Sequence, residues 1–457
     1  MRRTLVILVV GLAKGQVGAH TPNLRRLAKD GGARALRTVL PAVTCTVQST
    51  FTTGLPPSGH GCVANGWYFR DLAEVMWWKQ SNHLVEGEKI WEAAKRRDPG
   101  FTCAKLFWWY NMYSAADLSV TPRPIYWADG LKLPDIYSEP EGLRDELVGA
   151  LGEFPLFNFW GPNADIKSTR WIGDAARHVF DAKRPTLTLV YLPHLDYDLQ
   201  RKGPDHPDVA RNLREVDAVV GALADRARED GARVVVLSEY AITGVRGDVP
   251  INRRLREEGL LRVRSERGLE KLDAGASRAF AVADHQVAHV YVRDPGLVPD
   301  VARLVAKIDG VDAVLDAEGK RQARLDHPRS GELVAIAAPD RWFSYYYWLD
   351  DARAPEYART VDIHRKPGYD PVELFADPAI RALPAKVGWT LLKKKLGFRY
   401  LMDVIPLDPS LVKGSHGRLP DRDDDGPVLL SSEADLLPDR AVDATEVKDL
   451  VLRHVFG

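Results

Sequence analysis

The 457-residue chain has few cysteines, no excess of either charge and no long apolar run. Its 3 cysteines are too few and too unevenly spaced for a disulfide framework or a zinc knuckle, which favours a reducing compartment. Lys plus Arg and Asp plus Glu each number 63, so no global basic field favours nucleic acid or anionic membrane as a partner. No segment reaches the roughly 20 apolar residues that a membrane-spanning helix needs. We therefore predict a cytoplasmic protein that acts on a small molecule, with neither a nucleic acid polymer nor a membrane as partner.

The apolar run LVILVVGLAKG, residues 5–15, has two interpretations. It follows Arg2 and Arg3, as the apolar centre of a secretory signal does, but no clean small-residue cleavage motif comes after it. The run passes directly into AHTPNLRRLAKDGG, which is typical of a helix with a Thr-Pro start and a glycine stop. We favour the second interpretation, the first buried strand of an α/β enzyme.

Short β-branched runs alternate with amphipathic stretches along the chain, which predicts an α/β fold with a mostly parallel sheet sandwiched by helices. The clearest predicted strands cover 4–10, 186–192 and 232–238. The clearest predicted helices cover 22–29, 89–97, 141–151, 169–182 and 207–229.

The pattern changes near residue 246, where a polar stretch precedes VAHVYV, a helix near 298–307 and DAVLD. We predict a small α+β cap insertion over 246–331 within a core formed by 1–245 and 332–457. The main sheet is expected to resume at ELVAIAAP, residues 332–339.

Ligands of open α/β sheets bind beyond the carboxyl ends of the strands, so the segments that follow strands are the ones to inspect. PAVTCTVQSTFTTGLPPSGHG, residues 41–61, follows a predicted strand and contains the start of a helix. Thr44 would then lie at a helix N-terminus, where exposed N–H groups and the helix dipole favour an anion. A threonine in that place can also serve only as an N-cap.

The order of these segments resembles the alkaline phosphatase superfamily, and most closely its nucleotide pyrophosphatase/phosphodiesterase branch. That branch has a Pro-x-x-Thr segment followed by Thr-Gly-Leu-x-Pro-x-x-His-Gly, and residues 41–61 match both. The resemblance covers roughly 4–245 and 332–432, and it implies that Thr44 is the nucleophile of a phosphoester or phosphoanhydride hydrolase.

The resemblance also implies two metal ions, but this sequence departs from the family at their ligands. For one ion, Asp196 and His416 are retained while Gln200 replaces a histidine. For the other, the Asp-Gly-Leu that ends the first strand in the family is Val10-Gly11-Leu12 here. At the same ion, Glu239 and Tyr240 replace an Asp-His pair.

Because the loss of metal ligands lowers metal affinity, a standard two-zinc centre is not expected. We predict a reduced, degenerate site with one divalent ion, Zn²⁺, Mn²⁺ or Mg²⁺, or with none. The segment VDIHRKPGYDPVELF, residues 361–375, offers His364 as a substitute ligand and Arg365 and Lys366 as a phosphate clamp.

Residues 67–78 and 107–127 are rich in aromatics, which indicates either core packing or a wall that stacks on a flat ligand. On the second interpretation Trp67 contacts the substrate, as does Cys45 beside Thr44. Glu239 and Tyr240 are predicted to act with Thr44 in catalysis.

Three functions stay open at this point. The first is the hydrolase with Thr44 as nucleophile. The second is a non-hydrolytic enzyme on the same scaffold, such as a transferase or mutase, that has lost its metal centre. The third is a catalytically inactive binding protein.

Overall fold

Nine strands hydrogen-bond into one central sheet in the computed structural model, which describes residues 1–128 and 132–457. In order across this main sheet the strands are Val442–Asp443, Gly32–Arg37, Val428–Ser431, Arg233–Leu237, Thr4–Val9, Leu187–Leu192, Cys103–Leu106, Leu118–Pro122 and Ile136–Glu139.

The middle of the main sheet is parallel. Thr4–Val9 pairs in parallel with Leu187–Leu192 on one side and with Arg233–Leu237 on the other, Thr4 lying opposite both Leu187 and Arg233. Thr4–Val9 and Leu187–Leu192 are buried at every position, which is typical of parallel strands covered on both faces. Their carboxyl ends therefore meet at one edge of the sheet.

Two groups of helices pack on this sheet. Pro22–Asp30 and Ile166–Lys183 both contact Val209–Glu229, and Thr44–Thr53 and Ile90–Arg97 both contact Val447–Phe456. The other helices are Pro57–His60, Gly142–Leu151, His194–Lys202, Ile251–Glu257, Val298–Val305, Ala317–Gln322 and Leu383–Lys395. The predicted fold class, a mostly parallel sheet sandwiched by helices, is confirmed.

A second sheet, which we call the small sheet, has four antiparallel strands. In spatial order they are Ala279–Asp284, Val287–Val292, Leu333–Ala337 and Val311–Leu315. The expectation that the main sheet resumes at 332–339 is wrong, because Leu333–Ala337 pairs on both sides with strands of the small sheet. A short apolar run does not reveal which sheet it joins. The division into a core and a 246–331 insertion stays a prediction.

Five two-stranded pairs complete the strand structure of the described residues. They are Gly66–Phe69 with Glu74–Trp77, Ile125–Tyr126 with Lys132–Leu133, Thr243–Gly244 with Gly414–Ser415, Gly247–Val249 with Arg341–Phe343, and Val263–Glu266 with Leu269–Leu272. The pair containing Gly414–Ser415 brings His416 to the segment that follows Tyr240. Among the described residues, no helix is both long enough and apolar enough to cross a bilayer.

Asp217 joins two helices at the back of the main sheet. It lies in Val209–Glu229, is 2% exposed, and accepts hydrogen bonds from the backbone nitrogens of Asn23 and Leu24 at 3.0 and 2.9 Å. These donors belong to the first turn of Pro22–Asp30, where backbone N–H groups have no partner within the helix. A carboxylate from a neighbouring helix therefore performs the capping.

Replacing Asp217 with alanine should destabilise the protein. Asp217→Ala leaves buried backbone donors without an acceptor, and we expect the free energy of unfolding to fall by about 2–3 kcal/mol, measured by urea denaturation. Asp217→Asn keeps one acceptor oxygen and should lose less. Equal stability of Asp217→Ala and the wild type would contradict this capping role.

Candidate active site

Several polar side chains converge at the carboxyl edge of the main sheet. Asp196 lies just beyond Leu187–Leu192, and Glu239 and Tyr240 lie just beyond Arg233–Leu237. Thr44 follows Gly32–Arg37, whose direction matches that of the parallel strands. Each of these four side chains is at most 8% exposed.

Thr44 begins the helix Thr44–Thr53. The residue before it, Val43, has extended backbone and occupies the N-cap position, so Thr44 is not the N-cap. The positive end of the helix dipole therefore lies beside the Thr44 hydroxyl. Thr44 Oγ1 is 3.2 Å from the hydroxyl oxygen of Tyr240.

Tyr240 connects Thr44 to a buried carboxyl group. Its hydroxyl donates to Asp196 Oδ1 at 3.4 Å, and since a phenol has one proton, it then accepts the proton of Thr44. Burial raises the pKa of Asp196 to about 7 and the pKa of Tyr240 well above its usual value. Gln200 Nε2 donates to Asp196 Oδ2 at 2.8 Å and fixes the orientation of the carboxyl group.

Glu239 is held by the helix that carries Thr44. Its Oε1 accepts from Gln48 Nε2 at 2.6 Å, while its Oε2 is buried without a partner among the described residues. Burial raises the pKa of Glu239 well above its usual value, which favours the neutral carboxyl group. Gln48 is four residues after Thr44 and so shares its helix face, and its Oε1 accepts from the Trp109 backbone nitrogen at 2.7 Å.

Four rings stack beside these groups. Tyr240 and His416 lie almost parallel, with centroids 3.5 Å apart, His416 and His285 are 3.6 Å apart, and His285 and Tyr369 are 3.7 Å apart. We call this set the ring stack. Burial lowers the pKa of His416 to about 3 and lowers that of His285 well below its usual value, so both imidazoles are neutral. The Nδ1 of His416 lies 2.8 Å from the carbonyl oxygen of Ala42.

The small sheet contributes a second buried carboxyl group to this region. Asp284 accepts from Asn65, at 2.8 Å from its backbone nitrogen and 3.1 Å from Nδ2, and Asn65 Oδ1 in turn accepts from the Cys45 nitrogen at 2.9 Å. Burial raises the pKa of Asp284 to about 7. Sequence reasoning missed Asp284 and His285, although an Asp-His pair directly after the apolar run AFAVA was a usable signal.

The donors of the site do not fit the metal pair that the resemblance implies. Val10 is fully buried and supplies no donor atom, and the amide nitrogen of Gln200, which cannot bind a metal, points at Asp196. Burial raises the pKa of the Tyr240 phenol well above its usual value, and the ring of His416 is stacked face to face with it. The described residues contain no group of three or more His, Cys, Asp or Glu side chains placed to hold a metal ion.

The predicted auxiliary residues of 361–375 lie outside this cluster. His364 contacts the carbonyl oxygen of Trp77 at 3.2 Å and does not form a metal group with Asp196 and His416. The Lys366 side chain is 1% exposed and pairs with Asp370 at 2.6 Å and Glu373 at 2.7 Å, so its ammonium group is already neutralised. Arg365 is exposed and pairs with Asp362 at 3.2 Å.

Cys45 and Trp67, both predicted to contact substrate, belong to one buried apolar cluster. Cys45 is fully buried, and burial raises the pKa of its thiol well above the usual value. Trp67 is 3% exposed and stacks on Phe69 at 5.3 Å. Both positions favour core packing, the other interpretation of the aromatic-rich segments.

A cavity of about 200 Å³ adjoins the site. Tyr240 lines it together with Thr38, Ala42, Gln286 and Arg418. Tyr240 thus faces both the cavity and the buried hydroxyl of Thr44.

A family model described as type I phosphodiesterase / nucleotide pyrophosphatase matches residues 4–370. The chain is also similar to an uncharacterised pyrophosphatase/phosphodiesterase of Schizosaccharomyces pombe, with 25% identity over 239 residues. That match covers 49% of this chain and 41% of the relative, so the chain spans less than half the length of this curated relative.

Solved structures share the fold. Phosphonoacetate hydrolase from Sinorhizobium meliloti, in complex with phosphonoformate, superposes with a TM-score of 0.63 at 15% identity, covering 99% of this chain and 96% of that one. Murine ectonucleotide pyrophosphatase / phosphodiesterase 5 gives a TM-score of 0.59 at 14% identity, covering 99% and 95%. An inactive variant of the murine protein, solved in complex with AMP, gives the same TM-score of 0.59.

The raised pKa of Asp284 makes stability depend on pH. This carboxyl group ionises near its usual pKa of 3.8 in the unfolded state and near 7 in the folded state. Its contribution to the free energy of unfolding is therefore present at low pH and is lost as the pH rises between these two values. As the pH rises from about 4 to about 8, the unfolding free energy of Asp284→Asn should increase by about 4 kcal/mol relative to that of the wild type.

Urea denaturation at several pH values measures this difference. Asp205→Asn, at an exposed position, is the matched control and should follow the wild type. A difference between Asp284→Asn and wild type that does not change with pH would contradict the prediction.

Proposed function

The chain belongs to the type I phosphodiesterase / nucleotide pyrophosphatase family, and on that premise we propose that it hydrolyses a phosphoester or phosphoanhydride with Thr44 as nucleophile and without a two-metal centre. The observation that carries this proposal is the hydrogen-bonded series from Thr44 Oγ1 through the Tyr240 hydroxyl to Asp196, with steps of 3.2 and 3.4 Å.

This series gives the hydroxyl a route for its proton. When Thr44 Oγ1 attacks phosphorus, an O–P bond forms and the bond from phosphorus to the leaving oxygen breaks. The Thr44 proton moves to Tyr240 as the Tyr240 proton moves to Asp196, while the leaving oxygen takes a proton from water. A carboxyl group with a pKa of about 7 can accept and return a proton at neutral pH. Water then attacks the phosphothreonine and its Oγ1–P bond breaks, which releases the product. Asp196 returns its proton through Tyr240 to Thr44 Oγ1, and the hydroxide formed in the first step takes the proton of the attacking water.

Charge on the phosphoryl oxygens needs a favourable environment. The N-terminus of Thr44–Thr53 supplies its dipole, and the neutral state of Glu239 removes a negative charge that would repel the phosphoryl oxygens. Arg418 is the one cationic side chain that lines the cavity in the described structure, and its guanidinium pairs with Asp312 at 3.1 Å and with Asp421 at 3.3 Å. We place the entering substrate in this cavity, against Tyr240 and Arg418.

Removing the Thr44 hydroxyl should abolish turnover. Thr44→Val keeps the side-chain volume, and we expect hydrolysis of an aryl phosphodiester to fall by about a thousand-fold or more, because the nucleophile is lost. Tyr240→Phe interrupts the proton route and should cost about a hundred-fold.

Thr46→Val is the matched control. Thr46 lies on the same helix and is equally buried, but its hydroxyl has no hydrogen-bond partner among the described residues. This variant should keep wild-type turnover. Turnover that survives in Thr44→Val would overturn the assignment of the nucleophile.

Metal removal should leave the enzyme unchanged, because its donors do not fit a metal pair and the described residues contain no group of three or more His, Cys, Asp or Glu side chains placed to hold even one ion. After dialysis against EDTA we expect the same turnover and the same thermal midpoint, with well under one ion per chain by elemental analysis. A ligand that binds only the folded state raises the thermal midpoint. Because we expect no ion to bind, added Zn²⁺ or Mn²⁺ should leave the midpoint unchanged. The triple variant Val10→Asp/Gln200→His/Tyr240→His, which restores the family donors, should gain a metal-dependent shift. A stoichiometric ion whose removal stops wild-type turnover would contradict this view.

A second candidate, a ligand-binding protein without turnover, is favoured by the closure of the site. Thr44 is 3% exposed and the ring stack fills the space beside it. AMP, the ligand of the murine relative's inactive variant, is a suitable probe for calorimetry. Saturable AMP binding with no hydrolysis of any phosphodiester tested would favour this candidate over the hydrolase.

A further inference from the structure

The segment 378–402 differs from the rest of the chain in charge and exposure. It carries a net charge of +6, from Arg381, Lys386, Lys393, Lys394, Lys395 and Arg399, and it contains no Asp or Glu, although the whole chain has a net charge of zero. The helix Leu383–Lys395 forms its centre and ends before Gly397, whose φ is +78°.

One face of this helix docks on the body of the protein. Leu383 and Val387 pack, with Met402, against a buried apolar cluster that includes Trp342 and Ile405. Thr390 is the buried residue of the helix, and Lys386 pairs with Asp403 at 3.0 Å. The helix is therefore held in place from one side.

The opposite face exposes large apolar side chains. Trp389, Leu392 and Leu396 are 59%, 44% and 63% exposed, and their spacing of three and four residues puts them on one helix face. Phe398 and Leu401 continue the exposed surface beyond the helix at 64% and 53%. Of the fifteen large apolar side chains exposed in the described residues, six lie between 389 and 401.

The cations flank this apolar face and are largely unneutralised. Apart from Lys386, none of the six lies within 4.0 Å of a carboxylate oxygen among the described residues. Lys393 lies 5.6 Å from the Trp389 ring, so charge and apolar surface are adjacent. A helix with a cationic rim and an exposed Trp, Leu and Phe face is the arrangement that lies in a membrane interface.

We propose that residues 381–401 form a docking surface for an anionic lipid bilayer, with Trp389, Leu392, Leu396 and Phe398 inserted between headgroups and the lysines over them. We choose a bilayer as the occupant because of the chemistry of the surface: an anionic bilayer offers an apolar interior for the exposed side chains and negatively charged headgroups for the cations. The zero net charge of the whole chain gave no indication of a membrane partner, since it averages this segment with a complementary acidic remainder.

Vesicle binding tests the proposal with the full-length chain. We expect sedimentation with phosphatidylcholine vesicles that contain about one-third phosphatidylglycerol, none with phosphatidylcholine alone, and loss of binding as salt is raised. Lys393→Glu/Lys395→Glu should weaken binding about ten-fold or more. Trp389→Ser/Phe398→Ser should weaken it comparably by removing the inserted side chains.

Arg25→Glu/Lys29→Glu makes the same change in net charge at two exposed positions of the helix Pro22–Asp30 and is the matched control. Circular dichroism and phosphodiester turnover verify that each variant is folded. The proposal is overturned if both charge variants bind equally, if anionic vesicles bind no protein, or if the chain instead forms dimers that Trp389→Ser dissociates. Retention of double-stranded DNA that exceeds retention of vesicles would overturn it in favour of a nucleic acid partner.

Discussion

The parallel pairing of Thr4–Val9 with a neighbour on each side is the constraint on which the site depends. It fixes where three strands end, and therefore where Val10, Asp196 and Glu239 stand relative to one another. The strands are buried on both faces, so a shift in register would move side chains out of their packed positions and is resisted by the whole core. The helix Thr44–Thr53 is brought to the same edge because Gly32–Arg37 runs in the same direction. Precise placement of a few polar groups is thus secured by many apolar ones.

Much of this could be read from the sequence. The hydrophobic periodicity and the length of the apolar runs predicted the first strand and the long helices to within a few residues, because buried parallel strands and amphipathic helices have strong local patterns. The assignment of Leu333–Ala337 to the main sheet failed, since pairing partners are a non-local property. The hydrogen bonds of Thr44, Tyr240 and Asp196 follow from segments that the sequence had already marked. The roles of Gln48, Asn65, Asp284 and His285 could not be predicted, because each depends on contacts between distant segments or between two sheets.

Burial shifts the pKa values of the titratable groups in the site. Burial raises the pKa of the carboxyl groups and phenols and lowers that of the imidazoles, because a charge without a counter-charge is costly in an apolar surrounding. Where a cation pair would otherwise balance such carboxylates, this chain has a valine, an amide and a phenol. The replacements are mutually consistent, since each takes the place of a metal ligand that the resemblance implies, and the valine also removes a carboxylate.

The uneven distribution of charge gives the molecule an electric dipole moment. With +6 concentrated in 378–402 and a chain that is neutral overall, the remainder carries −6, and the protein is an electric dipole. Near a negatively charged surface such a dipole experiences a torque before any contact is made, and the acidic remainder is repelled while the cationic helix is attracted. The chain would thus arrive already oriented, with the rest of its surface turned toward bulk water.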